Sequence, residues 1–150
     1  MSEYGYDHID GKRVPHLVIT SDFTLTGVHE GTIQVEAGIL TINGELRGSL
    51  NVHENAQVII RGKQNGSISL KNGASTTVYG QLNGSSHLSS NSTVIIEERG
   101  RLAGSLTNEG KVILRGVFGG TQFGNGTISI EGNGYIKQPT KRGDSYFYEW

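Results

Sequence analysis

The chain is predicted to be all-β: a right-handed parallel β-helix, or β-solenoid, of about six to seven short triangular coils of 16–20 residues. Three observations carry this prediction. A Gly-x-x-x-Gly pair recurs at that interval, apolar residues spaced two apart flank each pair, and the repeat is too short for two helices and a turn.

The pairs stand at Gly27/Gly31, Gly44/Gly48, Gly62/Gly66, Gly80/Gly84, Gly100/Gly104 and Gly116/Gly120, and a seventh unit opens at Gly132. Counted from the first Gly, the complete units run 27–43, 44–61, 62–79, 80–99, 100–115 and 116–131. The fourth unit is the longest, and its extra residues around Glu97, Glu98 and Arg99 read as a bulged corner.

Before each pair, Leu40/Ile42, Val58/Ile60, Thr76/Val78, Val112/Leu114 and Ile128/Ile130 show the period of a strand with one buried face. After each pair, Ile33/Val35, Leu50/Val52 and Ile68/Leu70 repeat that spacing, and Leu88 and Leu106 extend the pattern. Inside the pairs, Leu46, Leu82, Leu102 and Phe118 mark a short third wall. Three walls per coil predict the triangular section.

The glycines are expected to turn corners at φ > 0, which is cheap only for Gly and, less so, Asn. Six Asn-Gly dipeptides lie at or near the predicted corners. Alone they would signal hairpins; at coil spacing most read as bends between parallel strands. The residue after the second Gly is Thr32, Ser49, Ser67, Ser85, Ser105 and Thr121, a hydroxyl column able to bond along the rod. Parallel crossovers are overwhelmingly right-handed, and the hexapeptide period of left-handed β-helices is missing. The expected organisation is an N-terminal cap or arm at 1–15, a solenoid at 16–134 and an aromatic C-terminal cap or tail at 135–150.

Composition narrows function. Hydrophobic residues make up 34% and charged residues 18%, which suits a thin core one side chain deep along an axis. A net charge of −1 argues against strong steering toward nucleic acid or an anionic membrane. Without Cys there is no disulfide, thiolate nucleophile or Cys-ligated zinc. The start, Met-Ser-Glu-Tyr, lacks the basic-then-apolar pattern of a signal peptide, and no apolar run approaches a membrane span. The expectation is a cytoplasmic protein without membrane insertion or cofactor.

Catalytic groups do not gather in the repeat. His29, His53 and His87 fall at different coil positions and read as solvent-facing residues rather than metal ligands. Glu97 and Glu98 are neighbours, unlike the spaced carboxyl pair of a glycosidase. The run Ser85, Ser86, His87, Ser89 and Ser90 contains no nucleophile elbow. Arg61, Arg99 and Arg115 precede a Gly in three coils, a basic stripe that Tyr79 interrupts. Thr24 and Thr26 could begin a flat Thr rank of the ice-binding kind, yet the repeat aligns them with Leu40/Ile42 and other internal positions. No enzyme activity is expected.

The ends carry a different signal. Most of the eleven aromatic residues lie outside the repeats. A solenoid's terminal coils have unpaired backbone and exposed core, so they need a cap or a partner. Tyr4, Tyr6, Tyr135, Tyr146, Phe147, Tyr148 and Trp150 are therefore the candidate self-association or partner contacts.

Segments such as Ile42-Asn43-Gly44-Glu45-Leu46-Arg47-Gly48-Ser49-Leu50 and Val78-Tyr79-Gly80-Gln81-Leu82-Asn83-Gly84-Ser85 resemble the repeat of the bactofilins. These are bacterial cytoskeletal β-helices that polymerise end to end without nucleotide. The resemblance spans about residues 24–133 and implies a non-enzymatic scaffold whose partner is itself. The alternative from another class is a discrete protein-binding module, of inhibitor or immunity type, acting through its aromatic end or an outer wall. The family's apolar membrane-targeting N-terminus has no counterpart here.

Overall fold

The computed structural model describes residues 6–138, 140–143 and 145–147. These residues are all-β and contain no helix, so no helix long and apolar enough to cross a membrane occurs among them. Parallel strands stack as a β-solenoid of about seven turns. Each turn adds one strand to each of three seven-stranded sheets. Wall I runs from Leu17–Ile19 to Gln122–Phe123, wall II from Phe23–Leu25 to Thr127–Ile130, and wall III from Val28–Glu30 to Tyr135–Ile136. At the usual strand spacing, seven layers make a rod roughly 30 Å long.

Register turns the sequence period into columns. In wall II, Leu40, Val58, Thr76, Val94, Val112 and Ile128 lie directly above one another and face inward. Leu46, Gln64, Leu82, Leu102 and Phe118 form the inner column of wall III. Together with Leu50, Ile68, Leu106 and their neighbours in wall I, these side chains form one continuous apolar core. Each inward residue of the middle coils is enclosed by the coils above and below it, which is why a chain poor in hydrophobic residues can still bury a core.

From the second coil on, close approach between coils constrains both glycines of each pair, and most of the second ones add a backbone conformation that favours Gly. The second, as at Gly66 (φ 142°) and Gly84 (φ 118°), holds the positive φ expected of a corner. The first has no positive φ at Gly44, Gly62 or Gly80. It is Gly because coils approach closely there: a Cβ on Gly44 would lie 1.9 Å from the Gly27 carbonyl oxygen, and one on Gly62 2.0 Å from that of Gly44. Gly27 does have positive φ, but a Cβ there meets nothing within 4 Å, because no coil lies beneath it. Beyond the first coil, conformational freedom therefore bears only on the second column, where a Cβ on Gly66 or Gly84 would also lie 2.2 or 2.3 Å from a carbonyl oxygen of the neighbouring coil.

The Asn-Gly corners at 43–44, 65–66 and 83–84 bend between parallel strands. The two antiparallel hairpins lie outside the solenoid. Tyr6–Ile9 pairs with Lys12–Pro15 through an Asp10-Gly11 turn, and Thr140–Arg142 pairs with Ser145–Phe147.

Wall II also corrects the Thr24 register. The first coil is one residue shorter at this point, so Thr24 pairs with Thr41 and Phe23 with Leu40. Thr24 thus belongs to an outward column continued by Thr41, Ile59, Thr77, Ile95 and Ile113, not to the internal column.

Candidate functional site

Three regions interrupt the regular stacking: the irregular corner after Ile96, the corner that holds the N-terminal hairpin, and the C-terminal coil.

The expected bulge is present. The chain leaves wall II at Ile96, turns at Glu98–Arg99 and re-enters with the Gly100 N–H donating to the Glu97 carbonyl at 2.7 Å. The bulge changes the predicted basic stripe, because the residue following the wall II strand here is Glu97, not Arg99. The corner column therefore reads Asn43, Arg61, Tyr79, Glu97, Arg115 and Glu131. Its members pair in succession: Arg61 lies over the Tyr79 ring at 4.8 Å, and Arg115 donates to Glu97 at 2.8 Å and to Glu131 at 3.1 Å. The bond to Glu131 comes first among the causes that raise the Arg115 pKa. Alternating charge replaces the phosphate-tracking stripe.

The N-terminal hairpin is tied to the first corner by Asp7. The Thr32 backbone N–H donates to Asp7 Oδ2 at 2.6 Å, and the Thr32 hydroxyl donates to Oδ1 at 2.8 Å. His16 Nε2 stands 3.6 Å from Oδ1. Burial raises the Asp7 pKa, but the Thr32 bonds and the imidazoles of His16 and His29 outweigh it and hold the carboxyl below its ordinary value. Behind this contact, Gln34 is buried at 4% exposure although it points away from the core. Its Nε2 lies 3.1 Å from His16 Nδ1 and its Oε1 2.8 Å from His53 Nε2. Composition offered no signal for this network, because its members come from three different coils.

The three histidines lie apart, and two differ from the solvent-facing expectation. His29 pairs with Leu46 and so occupies an inward position of the first coil. His53 is bonded to Gln34, and His87 is exposed on wall I. Among the described residues, no group of three His, Cys, Asp or Glu could hold a metal ion.

Both ends of the rod leave an inward apolar side chain open. In the first coil Ile19 and Leu25 are 4% and 8% exposed but Phe23, paired with inward Leu40, is 42% exposed, and inward-facing Ile130 of the last coil is 53% exposed. Phe123 and Tyr135 extend outward from that last coil, 56% and 50% exposed. Tyr135, expected in the tail, is part of wall III, where it pairs with Val117. Tyr6, Tyr146 and Phe147 fall in the two hairpins. Tyr4, Tyr148 and Trp150 lie outside the described residues.

Comparison with known proteins gives no matching family model, no matching curated protein and no matching solved structure.

Proposed function

We propose that this chain is a non-enzymatic structural protein, a bactofilin-like β-solenoid that associates with further copies of itself through an end of the rod. The observation that carries the reading is the last coil. Its strands Gln122–Phe123, Thr127–Ile130 and Tyr135–Ile136 are the outermost members of their sheets. They present backbone edges together with the half-exposed inward side chain of Ile130. A second coil laid on that end would extend three ladders and continue the core column in one step. Each coil is a template for the next, so assembly needs no nucleotide or cofactor.

A second reading is favoured by Phe123 and Tyr135, exposed aromatic residues on the same coil. They suit a discrete module that captures another protein.

Size-exclusion chromatography with light scattering and negative-stain microscopy separates the two. A self-associating scaffold gives large species or filaments at neutral pH, and Ile130→Lys, which places a charge in the open column, returns them to monomer. A sharp monomer peak that persists at high concentration removes the scaffold reading and leaves the discrete module.

A further inference from the structure

The corner between walls III and I repeats one backbone arrangement along the rod. A Gly is followed by Thr32, Ser49, Ser67, Ser85 or Ser105, and the next residue donates its N–H to the hydroxyl-bearing residue one coil up. Thus the Leu50 N–H goes to the Ser67 carbonyl and the Ile68 N–H to that of Ser85. The N–H groups of Ser49, Ser67, Ser85 and Ser105 themselves take no backbone partner among the described residues. They share the chain position at which Thr32 offers its own N–H and hydroxyl to Asp7. Thr32 is therefore an occupied rung, and it shows what such a rung binds: a carboxylate, one oxygen on the N–H and the other on the hydroxyl.

The serine hydroxyls remain able to donate outward. Ser49 and Ser67 hydroxyls bond to each other at 3.0 Å, and Ser85 and Ser105 at 3.2 Å. One proton serves each pair, so one hydroxyl per pair keeps its proton for another acceptor.

Charge gives a separate indication. From Gly62 onward, the strands of walls III and I that flank this corner contain no Asp or Glu. They do contain Lys63, His87 and Arg101. On a chain of net charge −1, the acidic side chains have been placed at other corners, such as Glu97, Glu109 and Glu131.

We propose that this corner, over Ser67, Ser85 and Ser105, is a docking surface for an acidic peptide segment of a partner protein, held by carboxylate capture as Thr32 holds Asp7. The surface runs along the side of the rod and is independent of the open C-terminal coil. It works whether or not the chain associates with itself.

Fluorescence anisotropy of labelled hexaglutamate, titrated with the full chain at low ionic strength, tests the proposal, with labelled hexaglutamine as control. Hexaglutamate is expected to bind saturably and hexaglutamine not. Combined Ser67→Ala and Ser85→Ala substitution should weaken binding about three- to tenfold, the loss expected for hydroxyl donors to a charged group. Two kinds of result overturn it. One is equal binding of the two peptides, or binding of neither. The other is full affinity in the serine variant with loss only in Lys63→Gln/Arg101→Gln, which reduces the effect to general charge attraction.

Discussion

Arg115 donates to Glu97 at 2.8 Å across the corner where the repeat lengthens, and the same guanidinium reaches Glu131 one coil further on. The insertion that broke the Gly period is thereby clamped to the regular coils beyond it. All three side chains are partly exposed, so the clamp is screened by salt. Glu97→Gln is expected to give a small fall in Tm at low ionic strength that disappears by about 1 M salt. Thermal melts at the two salt concentrations check it, and an equal loss in both would assign the effect to packing.

The stacking of glycines predicts a contrast within a single residue type. At Gly62 a Cβ would meet two backbone oxygens, at 2.0 and 2.6 Å, and backbone has little freedom to yield. Gly62→Ala should abolish cooperative folding. Gly27→Ala, with open space and only its positive φ of 76° to strain, should cost about 1–2 kcal/mol. Circular dichroism and urea melts of both variants provide the comparison.

Thr76 is fully buried between Val58 and Val94, and its hydroxyl has no hydrogen-bond partner among the described residues. Thr76→Val has nearly the same shape and removes the orphaned group, so it should stabilise the chain by about 1 kcal/mol or more. Phe118→Ala, in the filled column of wall III, should destabilise by about 3–5 kcal/mol. Urea midpoints measure both, and a less stable Thr76→Val would show that the hydroxyl is satisfied in solution.

Asp7 makes attachment of the N-terminal hairpin sensitive to acid. Its pKa is lowered in the folded chain, so its contribution is complete above the unfolded carboxyl value and is lost as pH falls through the lower folded value. Hydrogen exchange at the Thr32 amide, corrected for the intrinsic pH effect, should lose protection across that acidic window. In Asp7→Ala, protection should be missing at neutral pH while the Ile68 amide stays protected.

Much of the fold was legible because a β-solenoid is nearly one-dimensional. Spacing along the chain becomes height along the rod, and a period of two becomes inside and outside. Leu46, Leu82, Leu102 and Phe118 could be placed on one wall from spacing alone, and the register stacks them. Where coil length changes, that translation fails. One residue fewer in the first coil moved Thr24 outward to pair with Thr41, and the bulge after Ile96 replaced Arg99 by Glu97 in its column. The link from Asp7 to Thr32 was not legible, since it joins residues outside the repeat to residues within it.

Strand period and coil length dictate the architecture, the three walls and the inward column of each, because they leave few ways to bury the apolar residues. Tertiary structure decided which coil rests on which carbonyl, and with that why Gly44 and Gly62 must be Gly. It also decided that Ile19 is covered while Ile130 is open, and that the Thr32 rung is filled while the serine rungs have no carboxylate among the described residues. The physical reason is common to both. A repeat states what each coil prefers, but contacts between coils and with the flanking hairpin depend on height and register, which only the assembled stack defines.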